Sequence, residues 1–203
     1  MIVENAMPRR IAVAATAVVL ALSGLAVSGA ALARDYAVEV VVFRQWEASG
    51  ADGETWPDVP PALPRDVRVS RPGGGPFRRL ASSAYQLSGI RQRLASADQY
   101  VVLGHFGWIQ PDLAKGRNQW VAVGDGVPAG ERIPETPGLY GMMRVYVSRY
   151  LHAQVDLRYR RETGGTVYPM TQSRRMRSDE IHYLDHPVLG VIVQARPLGD
   201  GDG

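Results

Sequence analysis

Alternation of apolar and polar residues in the second half of the chain is its strongest structural pattern. From residue 139 to 160, apolar side chains keep one parity and polar side chains the other, which predicts a long strand with one buried and one wet face. Arg149 falls on the apolar parity, which indicates a bulge or a bend there. β-branched, aromatic and other apolar residues predict further strands at 36–43, 100–110, 119–123 and 188–195. Gly164-Gly165 fits a hairpin turn into another strand at 166–177.

Three- and four-residue spacing of apolar side chains predicts one amphipathic helix over residues 82–97, with Ser82 or Ser83 as its N-cap. One main amphipathic helix and a mostly antiparallel sheet of five or six strands predict an α+β fold. Between 47 and 76, repeated prolines and glycines predict a long loop, and the polar tail after 198 is expected to fray.

Residues 1–33 have the pattern of a cleaved secretory signal peptide. Arg9 and Arg10 precede an apolar run, and the small-x-small sequence at 31–33 is a cleavage signal. The run of roughly 17 residues is short for a membrane span. Residues 34–203 are therefore expected to form one periplasmic domain without a stable membrane span after cleavage. Because the chain has no cysteine, disulfides and an N-terminal lipid-modified cysteine are excluded.

The net charge of the chain excludes few classes of binding partner. Its formal net charge is +3, and Lys115 is the only lysine, so the basic residues are almost all arginines. Export makes nucleic acid an unexpected partner. A mild positive charge suits anionic envelope material, either cell-wall peptides or lipid head groups, without selecting between them.

Two polar segments, 149–156 and 177–187, hold three of the four histidines and are the candidate site. His182 and His186 would lie about 13 Å apart in an extended chain, too far to share a zinc ion unless a turn at Asp185 brings them together. We therefore assign no metal ligand and no cofactor. Without a cysteine or a Gly-x-Ser-x-Gly motif no nucleophile stands out, so we assign no catalytic residue and expect no enzyme.

A binding surface is the functional interpretation of these segments, because arginine binds carboxylates bidentately and aromatic rings stack on sugars. The candidate ligand-binding residues are Arg144, Tyr146, Arg149, Tyr150, His152, Arg158, Arg177 and His182. The structural interpretation is an internal polar network that fixes strand register, with Asp185 bonding to its own turn before Pro187.

Four blocks of sequence resemble the CsiV family of periplasmic proteins of Gram-negative bacteria. They are YAVEVVVFR at 36–44, YVVLGHFGWIQ at 100–110, RYLHAQVDL at 149–157 and RRMRSDEIHYLDHPVLG at 174–190. The resemblance implies a non-enzymatic protein that binds peptidoglycan and supports wall synthesis and cell shape. It also implies action through an outer-membrane lipoprotein that activates a bifunctional penicillin-binding protein. No binding residue is carried over from the family.

Two other functions stay open. One is a metal-dependent periplasmic hydrolase that uses His105, His152, His182, His186 and neighbouring acids. The other is a structural adaptor with no ligand, in which the histidine segments only hold the fold together.

Overall fold

A computed structural model of the protein describes residues 35–45, 55–57, 62–64, 66–111, 119–128 and 132–199. The chain divides into two units, Met1–Leu32 and Ala33–Gly203, and all the described residues belong to the second. The signal peptide and its cleavage site, as well as most of the tail after 198, lie outside the described residues.

Ten strands and one α-helix make up the regular structure of this described part. In chain order they are β1 (Tyr36–Gln45), β2 (Arg68–Ser70), β3 (Arg78–Arg79), α1 (Ser88–Ala95), β4 (Tyr100–Gln110), β5 (Gln119–Gly124), β6 (Gly138–Val147), β7 (Leu151–Arg160), β8 (Val167–Met176), β9 (Ile181–Asp185) and β10 (Leu189–Pro197). A 3₁₀ turn, Ser82–Ala84, precedes α1.

The strands form two five-stranded sheets. Sheet A has the order β3-β4-β1-β10-β9, and all its neighbours are antiparallel. Sheet B has the order β2-β5-β6-β7-β8 and is antiparallel except where β2 pairs with β5. The α+β prediction agrees broadly with this mostly β structure, but the expectation of one sheet with five or six strands is wrong.

One face of each sheet contributes to a shared hydrophobic core. Alternate residues of β1 and β10 from sheet A meet alternate residues of β5, β6 and β7 from sheet B, as the two-residue period of a strand requires. Without disulfides, burial of this surface is the main stabilising term. Central members of the core are Val38, Val40, Trp108, Val121, Met143, Val155, Leu157, Val191 and Val193.

The predicted long strand at 139–160 is a hairpin of β6 and β7. Val147 lies opposite Leu151, so residues 148–150 form the turn, and Arg149 lies in a turn rather than a bulge. Because the connection contains an odd number of residues, the side-chain parity is the same on both strands. The polar residues of β6 and β7 therefore share one face of sheet B, as neighbours across the hairpin.

The predicted helix is shorter than expected, and its amphipathic character is not confirmed. No residue of α1 is fully buried, and its N-cap is Leu87, whose side chain makes no capping bond, so a cap at Ser82 or Ser83 is wrong. Instead, Glu39 of β1 accepts hydrogen bonds from the backbone N–H groups of Gln86 at 2.7 Å and Leu87 at 2.9 Å. A tertiary carboxylate thus fixes the chain where the helix begins.

Part of the predicted loop at 47–76 is ordered into the fold. Residues 68–70 form β2, and Leu63 is buried. The ring of Trp56 lies 5.2 Å from that of Tyr168 and 5.4 Å from that of His186. These contacts anchor the segment onto β8 and onto the turn before β10.

Candidate functional site

An arginine–aromatic cluster lies on the outer face of sheet B and contains Trp120, Arg144, Tyr146, Arg149, Tyr150, His152 and Arg175. The inner neighbours of its strands, among them Val121, Val145 and Ala153, face the core, so these side chains point away from it. Tyr146 lies directly opposite His152, and their rings stack with centroids 5.2 Å apart. The hairpin register therefore sets the centre of the cluster.

Arg144 is held in place by aromatic rings and by an amide. Its guanidinium carbon lies 4.7 Å from the ring centroid of Trp120 and 4.7 Å from that of Tyr146. Its Nε and Nη2 groups donate to Oε1 of Gln154 at 3.0 and 2.8 Å. Cation–π contacts of this kind contribute about 0.5–1 kcal/mol each when exposed, so the guanidinium is pre-oriented rather than mobile.

The hairpin turn presents a second set of charges next to an exposed ring. Arg175 of β8 lies 3.5 Å above the ring of Tyr150, and Arg149 lies 5.5 Å from it. Tyr150 is 39% exposed. The guanidinium group of Arg175 makes no hydrogen bond or ion pair with another described residue, so its donors are available to a ligand that carries a carboxylate.

His152 has a defined hydrogen-bonding direction. Its Nδ1 lies 2.8 Å from the carbonyl oxygen of Tyr150, which can only accept, so Nδ1 carries a proton and donates. In the neutral ring Nε2 is then an acceptor. The cluster thus combines cationic donors, ring surfaces and one neutral acceptor, which together suit a ligand with carboxylates and hydroxyl or amide groups.

Arg158 is not part of this surface, although its parity predicted it. The side chain is 1% exposed, and its Nη1 donates to Oδ1 of Asp156 at 2.6 Å and to the carbonyl of Leu157 at 2.8 Å. Asp156 also accepts from the hydroxyl of Thr171. The outer face of β7 is therefore wet near the hairpin and buried from Asp156 onward, and a wet Arg158 is a wrong prediction.

Arg177 and His182 lie in and next to the connection from β8 to β9. The backbone N–H of Arg177 donates to Nε2 of His182 at 3.0 Å, and the Arg177 side chain pairs with Glu180 at 3.4 Å. Within the described part of the chain, no hydrogen bond, ring contact or ion pair joins either residue to the arginine–aromatic cluster. Their assignment as ligand-binding residues stays a prediction.

The four histidines have separate partners. His105 bonds to Glu39 at 2.7 Å, His152 to the hairpin turn, His182 to Arg177, and His186 to the carbonyl of Pro169. Among the residues that the structure describes, no group of three or more histidine, cysteine or acidic side chains could hold a metal ion. The fold therefore gives the metal-dependent hydrolase no observation in its favour.

The comparison with protein families decides the relationship that the four sequence blocks predicted. A family model described as "Peptidoglycan-binding protein, CsiV" matches residues 13–198. The chain belongs to the CsiV family. No curated protein and no solved structure gives a significant match.

Membership of the CsiV family supports peptidoglycan binding, and with it a periplasmic location and a non-enzymatic role. Within the described residues, the helix is too short and too polar to cross a bilayer.

In this CsiV protein the segment at 181–189 has a clear structural role. Nδ1 of His186 accepts from the N–H groups of Val188 and Leu189 at 3.2 Å, and Nε2 bonds to the carbonyl of Pro169 at 3.1 Å. His186, rather than the predicted Asp185, thus closes the turn before β10. Asp185 instead accepts from the hydroxyl of Tyr183 at 2.7 Å. Burial first, and then this bond, raise the pKa of Tyr183 well above its usual range.

Sequence reasoning missed two members of the cluster, Trp120 and Arg175. Both join it through strand pairing, because β5 and β8 flank the β6–β7 hairpin in sheet B and Arg175 lies opposite His152. Trp120 falls within a predicted strand, and Arg175 within a run of arginines in another. Composition therefore marked them as strand residues, but only the register showed which face they share.

Proposed function

We propose that the chain is a periplasmic accessory protein that binds peptidoglycan through the arginine–aromatic cluster and supports cell-wall synthesis and cell shape without catalysing a reaction. Membership of the CsiV family supports the ligand. The single observation that supports this binding site is Arg175, whose guanidinium carbon lies 3.5 Å from the ring centroid of Tyr150 and whose guanidinium donors are unused by other described residues.

The chemical groups of peptidoglycan match the side chains of the arginine–aromatic cluster. Its stem peptides carry carboxylates, and its glycan strands carry hydroxyl and acetamido groups. Arg175 and Arg149 can bind carboxylates as planar forks, and stacking on Tyr150 restricts their orientations before binding. Nε2 of His152 can accept from a hydroxyl or an amide. Because Arg149 and Arg175 are positively charged, binding should also weaken as the salt concentration rises.

We further propose that the protein acts through an outer-membrane lipoprotein that activates a bifunctional penicillin-binding protein, as the resemblance to the CsiV family implies. A crosslinking pull-down from intact cells tests this step. The expected product is a covalent adduct with one outer-membrane lipoprotein, recovered in proportion to the bait. Recovery of wall material without any such lipoprotein would contradict this partner.

The wall-binding site can be tested by sedimentation with purified sacculi. Arg175→Gln and Tyr150→Ala should each reduce the bound fraction, and loss of a charge-assisted bond predicts about a tenfold weaker affinity for Arg175→Gln. Arg91→Gln is the matched control, because Arg91 lies on exposed α1 and makes the same change in net charge. Melting temperatures of all variants should stay close to that of the unmodified protein.

Equal losses in Arg91→Gln and Arg175→Gln would show that net charge, not the cluster, retains the protein on the wall. A protein that stays wholly in the supernatant at low salt would remove direct wall binding altogether.

A further inference from the structure

A cavity of about 580 Å³ opens where β3 and β4 of sheet A approach the end of β5 in sheet B. Its size falls within the range of small-molecule sites in proteins, about 300–1,000 Å³. None of the eight predicted ligand-binding residues lines it, although His105, a candidate of the alternative metal-dependent hydrolase, does. The residues that define its chemistry are Arg71, Arg79, Ser82, Tyr85, His105 and Asp125.

The cavity carries two arginines whose charge no described residue neutralises. Arg71 and Arg79 are exposed, and neither guanidinium group makes a hydrogen bond or an ion pair within the described part of the chain. The adjacent Arg78, by contrast, is ion-paired with Asp35 and does not line the cavity. Two unpaired guanidinium groups beside one cavity favour an anionic group, above all a planar carboxylate.

Asp125 adds an opposite charge to the same cavity. Its Oδ2 accepts from the backbone N–H of Leu139 at 3.0 Å, while Oδ1 has no partner among the described residues. This carboxylate disfavours a ligand that is only anionic, such as free phosphate, and favours one that also carries an ammonium group. The charges of the cavity are thus complementary to those of a zwitterionic ligand.

The floor of the cavity is fixed by close packing. A Cβ atom at Gly107 would lie 2.5 Å from the Tyr85 ring, so that ring rests directly on the backbone of β4. The Tyr85 ring centroid lies 4.6 Å from that of His105, and His105 is tied to buried Glu39. Burial first, and then the charge of Glu39, raise the pKa of the Tyr85 phenol, so its hydroxyl stays protonated and can donate.

We infer that this cavity binds the stem peptide of peptidoglycan, with its carboxylates at Arg71 and Arg79 and a free amine at Asp125. The inference rests on the proposed function for the class of ligand. It adds a second contact, because the cavity and the arginine–aromatic cluster have no residue in common.

Calorimetric titration of the full protein with soluble stem peptide, released from purified peptidoglycan, tests the inference. Arg71→Gln and Arg79→Gln should each weaken binding about tenfold or more, since each removes a charge-assisted contact. Arg78→Gln is the matched control and should bind like the unmodified protein. Acetylating the free amine of the peptide should also weaken binding, and Asp125→Asn should abolish that difference.

Several results would overturn the inference. They are a loss in Arg78→Gln equal to that in Arg79→Gln, an acetylated peptide that binds unchanged, and inorganic phosphate that competes as well as the peptide. The last would identify a general anion site.

Sedimentation with sacculi separates this inference from the proposed function. A protein that sediments with sacculi but gives no heat with stem peptide keeps the function and loses the cavity assignment. Binding of stem peptide without sedimentation keeps the cavity and refutes wall binding through the cluster. Failure of both assays refutes both.

Discussion

Removal of the Glu39 side chain should lower the free energy of unfolding strongly. It is a fully buried carboxylate on β1, and it accepts hydrogen bonds from the N–H groups of Gln86 and Leu87 and bonds to Nε2 of His105. These contacts join β1, β4 and the start of α1. We therefore predict that Glu39→Ala destabilises the protein strongly.

The magnitude follows from the groups that would be left behind. An unpaired buried donor costs about 1–3 kcal/mol. The N–H of Leu87 is buried and should cost the full amount, whereas that of Gln86 is half-buried and can bind water instead. With the cavity left by the side chain, we expect a loss of about 3–4 kcal/mol in the free energy of unfolding. Glu39→Gln keeps the shape and one acceptor and should lose about 1–3 kcal/mol.

Urea unfolding followed by circular dichroism measures these changes. Glu180→Ala is the matched control, because Glu180 is an exposed glutamate whose pair with Arg177 should contribute less than about 1 kcal/mol. If Glu39→Ala and Glu180→Ala unfold at the same urea concentration, the hydrogen bonds of Glu39 do not stabilise the fold, and the reasoning is wrong.

Three further predictions concern Tyr183, His186 and Gly107. Because the folded pKa of Tyr183 is raised, the stability that it contributes is complete below the usual pKa of about 10 and is lost as pH rises through the folded value. Tyr183→Phe should therefore unfold less steeply on alkaline titration, and an unchanged profile would exclude this role. His186→Ala leaves two buried N–H groups unpaired and should lower the free energy of unfolding by about 2–4 kcal/mol in urea, whereas a loss below 1 kcal/mol would contradict the turn geometry. Gly107→Ala should displace Tyr85 and cost about 1–3 kcal/mol, and a crystal structure with the Tyr85 ring unmoved would refute the contact.

The positions of most strands could be predicted from the sequence. β1, β4, β5, β8 and β10 lie within two residues of the predicted ranges. Apolar and β-branched runs that fit a pleated, buried surface predicted four of them, and the Gly164-Gly165 turn predicted β8. The hairpin turn at 148–150 could not be predicted, because Ser-Arg-Tyr contains no glycine or proline. Its odd length also keeps the same parity on both strands, so Arg149 was the only sign of a break in the pattern.

The start of the helix could not be predicted because its cause lies far away in the chain. The apolar spacing begins near Leu80, but Tyr85 is extended, and α1 starts only after the two N–H groups bound by Glu39. Glu39 did carry a signal, as the only acid in an otherwise apolar strand. A buried carboxylate needs partners, but the sequence does not reveal which ones.

The candidate site was predictable to the extent that parity determines a face. Arg144, Tyr146 and His152 share a surface because they share a parity across the hairpin. Parity does not measure depth, so it placed Arg158 in water although that end of the face is covered. The cavity could not be predicted, because Arg71 lies near Asp125 only through the pairing of β2 with β5, and Arg79 joins them only through the approach of sheet A.

Strand β5 contributes residues to both proposed binding sites, the arginine–aromatic cluster and the cavity. Val121 and Val123 face the core, so Trp120, Ala122 and Gly124 share the outer parity. Trp120 supports Arg144, while Ala122 and Gly124 line the cavity. At about 3.3 Å per residue, Trp120 and Gly124 are about 13 Å apart along β5.

A glycan held at the cluster then raises the local concentration of its own stem peptide at the cavity. Two contacts on one protein can in this way give firm attachment to a polymer that repeats both groups. A fragment with sugar and peptide joined should consequently bind more tightly than a mixture of the separate parts.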